Sequence, residues 1–125
     1  MNRLVCESCV LLLFVEWTMR FRDFGALHET VRRQAVTPYA AKSTPPAEAL
    51  CHAVDLTCVF YFKPVLCLQR SAAATILLRR HGYPAELVIG VQVVPSRSHA
   101  WVEIDGIVVN DKPYMREIYQ VLECC

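Results

Sequence analysis

The chain has 125 residues, 54% of them hydrophobic, and a net charge of +1. That is enough for one domain with a real core and not comfortably for two, and it supplies no field that would draw in nucleic acid or an anionic membrane. Its seven cysteines are odd in number and unevenly placed, with no convincing export signal. They point to reduced thiols in a cytoplasmic protein rather than to a disulfide framework.

The first predicted element is a helix from Leu4 to Met19. Its unbroken apolar run, Cys9 to Val15, is flanked by Glu7 and Glu16 and falls far short of the about twenty residues that a spanning helix needs. A signal peptide would carry more positive charge before the run and small residues after it. An amphipathic or largely buried helix is expected, leaving a surface for a partner protein or a membrane as the alternative. Cys6, Cys9, Cys51 and Cys58 read as helix-core residues. Cys6-x-x-Cys9 has no second such pair with which to close a zinc site, so no metal is expected.

Gly25 interrupts the helical pattern. A second helical segment, Leu27 to Val36, follows, with His28, Glu29, Arg32 and Arg33 on its wet face. Thr37-Pro38 and Lys42-Ser43-Thr44-Pro45-Pro46 bracket a loop. Thr44 as N-cap and Pro45 at the first helical position then start a helix from about Ala47 to Phe60, with Glu48 in its first turn. His52 and Asp55 lie one turn apart on it and could pair. The Tyr61-Phe62-Lys63-Pro64 link is tight, so this helix packs close to the next one.

Pro64 precedes or opens a helix whose first turn holds Cys67. Free backbone N–H groups and the positive end of the helix dipole favour a thiolate there and could hold an oxyanion. The helix runs through Ala72-Ala73-Ala74 to Arg80, and Gly82 and Pro84 end it. Arg79, Arg80 and His81 suit the negative end of the dipole as capping charges. Arg70, one turn after Cys67, could instead face the site and hold a substrate carbonyl or a core acid such as Glu103. Leu87 to Val94 is apolar apart from Gly90 and Gln92, as in a central strand covered on both faces. Pro95-Ser96-Arg97 turns the chain into a hairpin.

That hairpin has His99, Trp101 and Glu103 on one face of its first arm and Ala100, Val102 and Ile104 on the other, with Asp105-Gly106 at the turn. Trp101 reads as a wall beside His99. Three acids could serve His99, but Glu103 lies about 13 Å along the strand and Asp105 about 20 Å. A two-residue turn would place Asp111 opposite Ala100, away from His99, and would favour Asn110 instead. A three-residue loop, Ile104-Asp105-Gly106 with a bulge, pairs His99 with Asp111. The three-residue register is expected, since glycine suits its final position. Pro113 then breaks the strand, Ile118 to Leu122 forms a last strand, and Glu123-Cys124-Cys125 is a loose end.

A thiol at a helix start, a histidine on a strand and an acid behind it are the parts of a cysteine hydrolase or acyl transferase. Cys67-Leu68-x-Arg70-Ser71, Gly82, Leu87-Val88-Ile89-Gly90-Val91, His99-Ala100-Trp101-Val102-Glu103-x-Asp105-Gly106 and Asp111 resemble the transglutaminase-like leader peptidases of lasso-peptide biosynthesis, over roughly residues 60 to 122. The resemblance implies a transglutaminase-like, papain-like α+β fold, with helices packed on a small antiparallel sheet. It implies Cys67 as nucleophile, His99 as general base and acid, and Asp111 as the orienting acid, with no cofactor. It also implies a precursor peptide as substrate, a separate leader-binding recognition protein and an ATP-dependent macrolactam cyclase as partners. The expected organisation is a single domain over residues 1–125, helical over 1–60 and carrying the catalytic core over 61–125. The competing readings are a transglutaminase-like acyl transferase and a non-catalytic peptide-binding module.

Overall fold

A computed structural model of the chain describes residues 2–36, 46–61, 65–93 and 96–125. Its elements are α1 (Asn2–Phe21), α2 (Phe24–Arg33), α3 (Ala47–Phe60), α4 (Cys67–Arg80), β1 (Ala85–Gln92), β2 (Arg97–Ile104), β3 (Ile107–Val108), α5 (Met115–Ile118) and β4 (Gln120–Cys124). The four strands form one antiparallel sheet in the order β3-β2-β1-β4. This is the expected α+β arrangement.

Helix α4 is the centre of the molecule. Ser71 to Arg79 are all buried, because α1 and α3 cover one side of the helix and the sheet the other. Its alanine run lets the sheet approach closely, so that Ala72, Ile76 and Leu77 share a core with Leu11, Leu12 and Val15 of α1, Leu50 and Val54 of α3, and Leu87, Ala100 and Val102 of the sheet. Each buried leucine, isoleucine or valine there contributes about 1.5–3 kcal/mol of transfer free energy. His81 caps α4, and Gly82 follows at φ +92°, where glycine escapes the Cβ penalty. The opposite face of the sheet buries Val88, Trp101 and Met115, with Val108, Tyr119 and Val121 against them.

Several sequence expectations need correction. α2 begins before Gly25, because the carboxylate of Asp23 accepts from the backbone N–H of Ala26 at 2.7 Å and caps the helix start. His28 is not on the wet face: its side chain is 12% exposed and its Nε2 lies 3.0 Å from Glu123. Arg79 is no capping charge. It is buried and donates to the carbonyls of Val31, Gln34 and Ala85, tying the end of α2 to the start of β1. His81 instead reaches Glu7 on α1 at 3.4 Å. Of the cysteines expected in helix cores, Cys51 is buried, Cys6 is exposed, and Cys9 and Cys58 are half-buried. The C-terminal residues are not loose: Cys124 pairs with Val88 in the ladder, and Cys125 exchanges both backbone hydrogen bonds with Leu87 at 2.8 and 2.9 Å.

Pro46 occupies the N-cap position of α3 without a side-chain cap bond. The expected Thr44 cap and Pro45 start, the loop at 37–45, and Phe62 to Pro64 lie outside the described residues, as does Pro95. No helix among the described residues is long and apolar enough to cross a membrane. α1 buries Leu11, Leu12 and Val15 while Val10, Leu13, Phe14, Trp17 and Phe21 stay exposed, so it is apolar on its outer face as well.

Candidate active site

Cys67 is the first residue of α4. Leu66, extended at φ −77° and ψ 158°, is the N-cap, and its carbonyl accepts the first helical bond from Arg70 at 3.0 Å. The side chain of Gln69 folds back to accept from the Leu66 N–H at 3.1 Å. The first N–H groups of a helix have no intrahelical acceptor, so those of Cys67 and Leu68 stand at its open, electropositive end. A small pocket of about 100 Å³ adjoins this end, lined by Cys67 and Leu68 of α4, Ile89 of β1, and Ser98, His99 and Ala100 of β2. The structure thus brings the predicted thiol and imidazole to one cavity.

His99 sits on β2 opposite Gly90 of β1. Its ring stacks against Tyr119 at 5.4 Å between centroids and against Trp101 at 6.1 Å. Nε2 of His99 lies 2.6 Å from Oδ2 of Asp111. An ionised carboxylate only accepts, so Nε2 carries a proton whether or not the ring is charged, and Nδ1 is the nitrogen left to take up or give a proton. Burial would push the Asp111 carboxyl up. The hydrogen bond from His99, the Lys112 backbone N–H donating to Oδ1 at 2.8 Å, and the charges of His99 and Arg70 together outweigh that and hold it below the ordinary aspartate value. Arg70, one turn after Cys67, places Nη2 3.7 Å from the same Oδ2 and Nη1 3.9 Å from Asp55 on α3.

The expected three-residue loop is not what forms. Glu103 pairs with Val108 and Ile104 with Ile107, around a two-residue turn with Asp105 at φ +52° and Gly106 at φ +80°. Positive φ at both positions is the type I′ turn, whose twist matches that of the strands. Even so, Asp111 meets His99. Asn110, the alternative partner in this register, points the other way: its Nδ2 donates to Ser71 Oγ at 3.1 Å and its Oδ1 accepts from the Val102 N–H at 2.7 Å.

Glu103 serves neither His99 nor Arg70. It is buried beneath Trp101, accepting from the indole Nε1 at 2.8 Å and from Arg116 through Nε at 2.8 Å and Nη2 at 2.9 Å. Hydrogen bonding from Arg116 holds its carboxyl below the ordinary glutamate value against the opposing effect of burial, with Trp101 and the Arg116 charge assisting. Sequence reasoning missed Arg116, Tyr119 and the anchoring role of Ser71. One signal was available in Gly90, because a glycine inside a strand marks a close approach. A Cβ at Gly90 would stand 2.8 Å from Trp101 Cη2 and 2.8 Å from Tyr119 Cβ. Arg116 and Tyr119 lie on a short helical turn and the bend after it, where no periodicity announces them.

A family model described as the transglutaminase-like superfamily matches residues 11–124, which takes in the N-terminal helices as well as the motif-bearing half. The chain is also similar to the microcin J25-processing protein McjB of Escherichia coli, with 45% identity over 56 residues. That stretch is 45% of this chain and 27% of the relative, so only about a quarter of the relative's length is matched. No solved structure matches the chain.

Proposed function

The chain belongs to the transglutaminase-like superfamily, and from that premise we propose that it is a cysteine peptidase that removes the leader segment from a ribosomally made lasso-peptide precursor. One observation carries the reading: the His99–Asp111 contact of 2.6 Å lies at the edge of the pocket that Cys67 lines. The likeness to a protein named for processing microcin J25 supports the substrate class. In this reading Nδ1 of His99 takes the proton of Cys67, and the sulfur attacks the scissile carbonyl. The N–H groups at the start of α4 receive the oxyanion. The imidazolium, steadied by Asp111, gives its proton to the leaving amine. Water, deprotonated by the same ring, then hydrolyses the thioester and frees the enzyme.

A leader-binding protein that delivers the precursor and an ATP-dependent macrolactam cyclase that uses the freed amine complete the proposed pathway, in a cytoplasmic setting. The test is incubation of the purified chain with a lasso-peptide precursor and a leader-binding protein, read by mass spectrometry. A new free N-terminus at the leader–core junction is expected, abolished in Cys67→Ala and His99→Ala and reduced about 10²- to 10⁴-fold in Asp111→Ala. An amine-crosslinked product would mean acyl transfer instead. Unimpaired cleavage by Cys67→Ala would reject the scheme, and so would a Cys67 that iodoacetamide does not label ahead of the other cysteines near neutral pH.

A further inference from the structure

With Glu103 paired to Val108, continued alternation would set residue 111 opposite Ala100, whose side chain belongs to the face packed on α4. His99 belongs to the other face, beside Trp101 and Tyr119. Asp111 nevertheless reaches His99, so the alternation is broken between Val108 and Asp111. The hydrogen bonds show where. In the next ladder pair, Val109 N–H donates to Val102 O at 3.0 Å as an antiparallel pair requires. The return bond, from Val102 N–H to the Val109 carbonyl, is replaced by one to the side-chain Oδ1 of Asn110 at 2.7 Å.

The other end of that amide is fixed as well. Nδ2 of Asn110 donates to Ser71 Oγ at 3.1 Å, and the Ser71 hydroxyl donates to Ala100 O at 3.1 Å. Ser71 is fully buried and lies one helical turn after Cys67, on the same face of α4. One hydroxyl therefore ties β2, the return segment and the helix of the thiol together.

Building on the Cys67–His99–Asp111 reading, we propose that Asn110 is a positioning residue. Its amide stands in for the Val109 carbonyl, frees the backbone from the ladder one residue early, and sets Asp111 on the face of His99. Without it, Val102 N–H bonds the Val109 carbonyl, the ladder lengthens, and the carboxylate turns toward α4.

The test compares the alkylation rate of Cys67 by iodoacetamide at pH 6 with that at pH 9.5, by peptide mapping, in the wild type, Asn110→Ala, Asp111→Ala and the double variant. An ordinary thiol is under about 1% thiolate at pH 6, so a high pH 6 to pH 9.5 ratio reports the partnership with His99. Asn110→Ala and Asp111→Ala should each lower the ratio at least tenfold. The double variant should fall no lower than Asp111→Ala, since the two side chains act as one. A wild-type ratio in Asn110→Ala, or a double loss equal to the product of the single losses, overturns the inference. Should Asn110→Ala not fold, Ser71→Ala carries the test: a loss of about threefold that vanishes in the Asp111→Ala background is expected, and an unchanged ratio overturns it. A wild type without reactivity at pH 6 would overturn the peptidase reading and this inference together, which is a separate outcome.

Discussion

Replacing Gly90 by alanine adds one methyl group where the sheet face that holds His99 has no room. Gly90 is not among the residues with positive φ, so the backbone conformation suits alanine and the strain is purely steric. The new Cβ would stand 2.8 Å from Trp101 Cη2, 3.1 Å from Trp101 Cζ3 and 2.8 Å from Tyr119 Cβ. None of these atoms is the free end of a flexible chain. Trp101 is fully buried with its indole N–H tied to Glu103, and a Cβ moves only with its backbone. Overpacking of this kind costs about 1–3 kcal/mol, and the stiffer unfolded chain returns about 0.4–1 kcal/mol. A net loss of about 1–2 kcal/mol lowers Tm by about 4–8 °C in a domain of this size. Circular dichroism melts of wild type and Gly90→Ala measure it directly. Because the displaced rings are those stacked on His99, the Cys67 alkylation rate at pH 6 should fall with Tm. An unchanged or raised Tm would show that Trp101 and Tyr119 yield freely, and that the rings do not clamp the histidine.

Three further outcomes follow from the same contacts. The Glu103 carboxyl is held below its unfolded value, so its contribution is complete above about pH 4.3 and is lost as pH falls through the lower folded value. Glu103→Gln should lose about 1–3 kcal/mol at neutral pH and show a shallower fall of Tm with acid than the wild type; parallel Tm curves from pH 7 to 3 would count against the ion pair. Arg70 lies 3.7 Å from Asp111 Oδ2, so in Arg70→Gln the carboxyl of Asp111 should titrate at higher pH by carbon-13 NMR while Arg70→Lys stays near the wild type; an unmoved midpoint in Arg70→Gln refutes the coupling. Gly106 has φ +80° with nothing within 4 Å of a built Cβ, so Gly106→Ala should cost about 1 kcal/mol of backbone strain alone, lowering the urea midpoint at constant m and leaving Cys67 reactivity intact.

The bounds of α4 were legible because its signals are local: a cysteine after a proline-led link, an apolar and alanine-rich body, then Gly82 and Pro84. The two faces of β2 were legible for the same reason, since alternation separates His99, Trp101 and Glu103 from Ala100 and Val102. The hairpin register was not. Glycine suits the last place of a three-residue loop as well as the second place of a type I′ turn, and only the strand pairing decides between them. β4 was hard to place because four of its five residues are exposed, and it is held mainly by backbone bonds that no side-chain pattern encodes. Arg79 and His28 misled for a related reason: a charge near a helix end looks solvated until the carbonyls or the carboxylate that it meets across the fold are known.

Helix α4 divides its length between two tasks, and this explains why Asp111 meets His99 in a register that strict alternation would forbid. From Ala72 to Leu78 its side chains are spent on the core shared with α1, α3 and the sheet. Its first turn and a little more carries Cys67, Arg70 and Ser71, at spacings of three and four that place them on one face. Of these, Arg70 approaches Asp111 and Ser71 anchors Asn110, so both residues of the return segment are held from the helix that bears the thiol. Asp111 is therefore held from the helix that carries Cys67 and not by the two-residue strand β3. A short, exposed hairpin tip can then vary without moving the carboxylate, whereas Ser71 and Asn110 connect to the imidazole through the Asn110–Ser71 hydrogen bond, the peptide link to Asp111 and the Asp111–His99 hydrogen bond.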